Sequence, residues 1–277
     1  MKLTELVEDI YLSPDSKRVV VATSNSKVQR ASGDDFISTA KPKLPHRSSS
    51  TTRTGGVVVY SAYLYHPSKI VTEILSSIKG KGPYEVIDNS VNHFIDETAA
   101  WMGPILQSRI NPTLVVFPRS SSGLTKRFAA SLTKHFKNAE MIEDAFVKNV
   151  INITGDEQKD RAMVGSLIDI DHPKFETLSK ETVDELEKRL LSLLKREGSG
   201  IVPIKKIYKP LAQFIKGFIK AENIKENLKG ARVLVVDDIQ SSGTTMREMV
   251  QIAEARGAET INGATIFRQT SKASEKK

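Results

Sequence analysis

The chain has 277 residues, 39% of them hydrophobic and 27% charged, with a formal net charge of +8 and no cysteine. A chain of that length buries a core without disulfides or structural metals, and the missing thiols exclude disulfide frameworks, thiolate zinc sites and cysteine nucleophiles together. No apolar run approaches the ~20 residues that cross a bilayer, and Met1–Glu5 leads into acidic residues, so neither a membrane span nor a secretory leader is expected.

Cysteine avoidance fits a reducing compartment, and a cytoplasmic location is the expectation. The positive surplus suits a polyanionic ligand, either a small phosphate ester or nucleic acid; most of the lysines read as a solvated basic surface.

In chain order, Leu3, Val7 and Ile10 predict a short helix over residues 1–12. Arg18 to Ala22 reads as a strand. Residues 23–56, rich in Ser, Thr, Lys and Arg, read as loop, and Val57 to Tyr60 as a second strand. Residues 69–79 read as a helix broken by Gly80, Gly82 and Pro83. Val91, Phe94, Ile95, Thr98, Met102 and Ile105 recur at helical spacing, with Trp101 expected to pack among them. Leu114 to Phe117 is a buried-type strand, Pro118 to Gly123 a tight loop, and Leu124, Phe128, Leu132 and Phe136 the face of another helix. Such alternation predicts an α/β fold. Residues 155–200 break the rhythm and read as a helical insertion. Its helix carries Val183, Leu186, Leu190, Leu193 and Leu194, with Thr182 and Glu185 as its capping box. Residues 204–228 are basic and expected to be partly helical. The chain is thereby divided into an N-terminal extension, 1–88, and a core, 89–277, carrying the insertion.

The most informative stretch lies near the C-terminus. Arg232 to Val236 is a continuous apolar run suited to a central parallel strand. Asp237 and Asp238 follow at its carboxyl end, where open α/β sheets bind ligands. Ser241, Ser242, Gly243, Thr244 and Thr245 then open a helix through Met246, Met249, Val250 and Ala253, capped by Gly257, and Ile261 to Phe267 forms one more strand. Small residues let the backbone curl, so that amides, hydroxyls and the helix N-terminus converge on an anion such as phosphate. Two carboxylates beside that cradle need something neutral or cationic between, which ribose hydroxyls and a magnesium ion provide. A buried strand ending in a polar N-cap would explain the apolar run and the cap residue, but not the adjacent carboxylates.

Val233 to Thr245 resembles, over its full thirteen residues, the ribose-phosphate signature of type I phosphoribosyltransferases: four apolar residues, two acidic, two variable, then a Ser/Thr/Gly run. The resemblance covers about residues 90–268. It implies that family's fold, a mainly parallel central sheet flanked by helices. Its implied activity is transfer of the 5-phosphoribosyl group from 5-phosphoribosyl 1-diphosphate to a nucleobase or related small acceptor, in nucleotide metabolism, with Mg2+ as cofactor. Asp237 and Asp238 become the catalytic pair, binding the ribose 2′ and 3′ hydroxyls directly or through Mg2+, and Ser241, Ser242, Gly243, Thr244 and Thr245 the 5-phosphate site. The loop after Leu114–Phe117 takes the place of the family's diphosphate loop, with Arg119, Ser120, Ser121 and Ser122 as ligands.

Family members often close a mobile basic segment over the site. Lys205 and Lys206 are the candidates for that role here, with a solvated basic helix face as the alternative reading of Ile204 to Lys220. Members acting on 6-oxopurines typically have aspartate where this chain has Ser241, which lowers the expectation of hypoxanthine or guanine as acceptor. A homodimer is expected by analogy. The alternative function is a regulatory protein of the same fold that senses the donor and binds nucleic acid, motivated by the net charge and by the basic segment Lys41 to Arg53.

Overall fold

The computed structural model describes residues 9–12, 18–21, 37–38, 44–51, 56–86, 88–120, 122–170, 175–197, 214–241 and 243–270. Its elements follow the chain as β1 (Asp9–Leu12), β2 (Arg18–Val21), β3 (Ile37–Ser38), β4 (His46–Thr51), β5 (Gly56–Tyr65), α1 (Lys69–Ile78), β6 (Glu85–Val86), α2 (Asp88–Arg109), β7 (Leu114–Pro118), α3 (Leu124–Thr133), β8 (Glu140–Lys148), α4 (Glu157–Ser166), α5 (Lys180–Glu197), β9 (Ile219–Ala221), β10 (Arg232–Gln240), α6 (Thr244–Ala255) and β11 (Thr260–Gln269).

Seven strands form one sheet in the order β4-β5-β11-β10-β7-β8-β9. The pairings β5–β11, β11–β10, β10–β7 and β7–β8 are parallel, and only the two edge strands, β4 and β9, run antiparallel to their neighbours. The apolar run of β10 explains its central place: Val233, Leu234, Val235 and Val236 are wholly buried, which only a strand covered on both faces achieves. Val233 and Val235 pack with Leu114, Val116 and the α6 residues Met246, Met249, Val250 and Ala253. Leu234 and Val236 pack with Val115, Phe117 and the apolar faces of α1, α2 and α3. Each such side chain contributes ~1.5–3 kcal/mol by leaving water. The fold is thus a mostly parallel sheet flanked by helices, as the alternation predicts.

A third cluster lies apart from these two. Val164, Leu167 and Ile168 meet Leu186, Leu190, Leu193 and Leu194 of α5, and Phe214, Ile215 and Phe218 complete it. A smaller sheet, β3-β1-β2-β6, is built from the N-terminal segment.

The structure corrects several local expectations. Asp9–Leu12 is a strand rather than part of a helix, because Ile10, Tyr11 and Leu12 pair in register with Val21, Val20 and Val19; pairing overrides a three-residue helical pattern. Within 23–56, β3 and β4 replace loop: the polar His46–Thr51 pairs antiparallel along β5 from His46↔Ser61 to Thr51↔Gly56, and an edge strand needs a backbone ladder more than an apolar face. The cap of α5 is Ser179, whose Oγ accepts from the Thr182 N–H at 3.3 Å, while Glu185 is taken by Arg189 at 2.6 Å. Of 204–228, expected to be partly helical, residues 204–213 lie outside the described residues, and the remainder holds the strand Ile219–Ala221. Finally, the β10 ladder runs past Val236, with Ile239 and Gln240 opposite Phe267 and Arg268 of β11.

Candidate functional site

Because β7 and β10 are parallel neighbours, with Val233 opposite Leu114 and Val235 opposite Val116, their carboxyl ends lie side by side. Two loops therefore leave the same rim of the sheet: Arg119–Gly123 after β7, and Ser241–Gly243 after β10. Only three residues separate the end of β10 from α6. Gly243 makes so short a turn feasible with a φ of +78°, a conformation costly for any residue bearing a Cβ. As N-cap of α6 it supplies no side-chain hydrogen bond, so the helix start presents backbone and dipole to whatever sits before it. Thr244 is buried, Thr245 half-buried and Ser241 exposed.

Asp237 and Asp238 sit in the last turn of strand before this loop. The Asp237 carboxylate accepts the Asp238 backbone N–H through Oδ1 at 2.8 Å. Burial of the carboxyl group, then the neighbouring Asp238 charge, pushes the Asp237 pKa up to about 7, against the opposing pull of Lys79. Asp237 as a residue keeps some exposed surface; the enclosure is of its acid group.

Sequence reading did not find the cation of this site. Lys79 Nζ lies 2.9 Å from Asp238 Oδ1 and 2.9 Å from Oδ2. Such a contact is worth more than a surface ion pair, because the Asp238 side chain is only 8% exposed and an unpartnered buried carboxylate is expensive. Tyr65 also borders the pair: burial and the Asp238 charge push its phenol up to about 12, keeping it protonated. No local signal marks Lys79, a helix-end lysine 159 positions from its partner.

The loop after β7 is arranged differently. Ser120 and Ser122 hydroxyls lie 3.1 Å apart, and Ser120 Oγ accepts the Ser122 N–H at 3.3 Å. The register between β7 and β8 shifts between Val116 and Pro118, and Asp144 within that irregularity has a φ of +50°. Over this bulge Arg119 donates from Nε to Asp144 Oδ2 at 3.1 Å and from Nη2 to Glu222 Oε1 at 2.9 Å. Its guanidinium therefore ties β8 to the segment after β9, and an incoming diphosphate would have to compete with two carboxylates for it. Ser121, Ser242, Lys205 and Lys206 lie outside the described residues.

Tyr63 and Trp101 have structural places. Tyr63 is buried, with its hydroxyl 3.1 Å from Thr98 Oγ1 and its ring 6.2 Å from that of Trp101. Among the described residues no group of three or more His, Asp or Glu side chains is placed to hold a metal, and no helix is long and apolar enough to cross a membrane. A cavity of about 550 Å3 opens along the flank of α6, lined by Ser166, Lys216, Ile219, Glu248, Gln251 and Glu254 among others, and does not include the acidic pair.

The crystal structure of a purine phosphoribosyltransferase from Pyrococcus horikoshii Ot3 matches with 14% identity, covering 65% of this chain and 82% of that one at a TM-score of 0.29. So loose a superposition carries no residue-level correspondence. No curated protein matches the chain. The phosphoribosyl transferase domain matches over residues 181–277, the segment that contains β10, the acidic pair, the short turn and α6. Over this C-terminal segment, about a third of its length, the chain is similar to the phosphoribosyl transferase domain.

Proposed function

We propose that the protein transfers the 5-phosphoribosyl group of 5-phosphoribosyl 1-diphosphate to a nucleobase or related acceptor, releasing diphosphate. The observation that carries this reading is the acidic pair near the end of a buried central strand, five residues before an uncapped helix start. Asp237 and Asp238 accept hydrogen bonds from the two ribose hydroxyls and so fix the sugar. Ser241, Ser242, Gly243, Thr244 and Thr245 hold the 5-phosphate at the start of α6. With both ends of the ribose 5-phosphate fixed, C1 and the departing diphosphate face the neighbouring loop, where Ser120, Ser121, Ser122 and, once released from its carboxylates, Arg119 donate to oxygens gaining negative charge. Lys205 and Lys206 join them on sequence grounds alone.

With Asp238 paired to Lys79, the Asp237 carboxylate is the oxygen donor left for Mg2+, completed by oxygens of the substrate. Asp237, the carboxylate that Lys79 does not contact, would hold the ion, which when bound supplies positive charge for the leaving diphosphate. The serine at position 241 favours an acceptor other than a 6-oxopurine. Incubation with the donor, Mg2+ and a panel of purines, pyrimidines and orotate should release diphosphate with at least one acceptor. Replacing both aspartates by asparagine should lower kcat/KM by ~100-fold or more. Absence of release with every acceptor would overturn the assignment.

A further inference from the structure

The corner that carries Lys79 is built more tightly than a surface lysine needs. Ser68 caps the start of α1 by accepting the Val71 N–H at 3.1 Å, and Val71, Ile74 and Leu75 anchor the helix in the main core. At its end, the Gly80 and Lys81 N–H groups donate to the Ser77 and Ser76 carbonyls, each at 2.8 Å. Ser77 Oγ donates to the Glu73 carbonyl and accepts the Tyr84 N–H. Tyr84 in turn donates to Glu73 Oε2 at 2.6 Å. Gly82 lies so close that a Cβ there would stand 2.1 Å from Ser77 Oγ. The turn after α1 is thus clamped onto the helix that carries Lys79. From it the ammonium reaches both oxygens of Asp238, with its own side chain only 26% exposed.

A divalent cation coordinated by Asp238 would have to share that carboxylate with an ammonium at contact distance, a like-charge repulsion that a partly buried site screens weakly. Ribose hydroxyls meet no such obstacle: they donate to the remaining lone pairs of the carboxylate that Lys79 contacts. We infer that Lys79 is the built-in counter-cation of the acidic pair, taking at Asp238 the place a divalent metal would take, so that the ribose diol binds this carboxylate without metal. The inference rests on the ribose-phosphate reading of the site and makes Lys79 a positioning residue supplied by the N-terminal extension.

Titration calorimetry with ribose 5-phosphate tests it, in EDTA and again in excess Mg2+. The wild-type protein should bind with the same Kd in both, within about twofold. Lys79→Met should bind about tenfold more weakly in EDTA and regain affinity with Mg2+, as the vacated place at Asp238 admits the ion. Lys79→Arg should behave as wild type. Loss of wild-type binding in EDTA, or unchanged binding by Lys79→Met in EDTA, overturns the inference while leaving the ribose-phosphate site intact. Absence of wild-type binding in both buffers removes the site and the inference together. Should Lys79→Met fail to fold, Lys79→Gln, which keeps a donor for Asp238 but no charge, is measured in the same two buffers with the same expected loss and Mg2+ rescue.

Discussion

Gly243 concentrates the demands of the phosphate loop in one backbone angle. Its φ of +78° is left-handed, yet a Cβ there would meet only Gln240 Nε2, at an ordinary 3.5 Å. The penalty for a side chain is therefore conformational rather than steric. Gly243→Ala should cost about 1 kcal/mol and Gly243→Val more, because a branched Cβ tolerates positive φ worst. Urea denaturation measures both. If Val proves no worse than Ala, the residue does not hold the left-handed turn. A loop that relaxes to negative φ also turns its amides away from the helix axis, so ribose 5-phosphate affinity should fall alongside stability in the same variants.

At the scale of elements, α5 illustrates what a local pattern makes readable. Leu186, Leu190, Leu193 and Leu194 recur at helical spacing, and all four are buried together with Phe214, Ile215 and Phe218. Leu190→Ala should cost 2–5 kcal/mol by leaving a cavity, measured as a lowered urea midpoint. A loss below 1 kcal/mol would mean that this cluster does not support the folded chain. The strand–turn–helix of the signature was legible for the same reason: the apolar run, the two aspartates and the small residues all fall within thirteen consecutive positions. What escaped the sequence depended on distant partners. The polar run His46–Thr51 becomes a strand only because β5 offers it an edge. Tyr11 and Leu12 follow β2 rather than their own periodicity. Lys79 acquires meaning only when α1 is brought against the end of β10, and Arg119, singled out as an anion ligand, is found held by Asp144 and Glu222, whose approach depends on the β8 bulge and the turn after β9.

Across the whole molecule, one buried acid joins the helical cluster to the sheet. Glu248, on α6, accepts the Ile219 N–H at 2.8 Å and is also held by the backbone of Gly217 and Phe218, where the chain passes from the cluster containing Phe218 into β9. Burial outweighs these donors and the adjacent Arg247, pushing the carboxyl up to about 7 from an ordinary 4.5. The unfolded chain thus releases this proton near pH 4.5 while the folded protein keeps it until about pH 7. Folding is favoured by the difference below the lower value, and that advantage is lost as pH rises through the upper one. At about 1.4 kcal/mol per pH unit, the group accounts for roughly 3 kcal/mol of stability lost between those limits. Asp237, raised in the same direction, adds to the slope, so Glu248→Gln should flatten the dependence of urea-unfolding free energy on pH between 5 and 8 without abolishing it. The uncharged amide still offers an oxygen to the Ile219 N–H, which lets the variant keep the junction while losing the titration. Parallel pH curves for the two proteins would show that Glu248 ionises in the folded state as freely as in water, and that the junction between helical cluster and sheet is open to solvent.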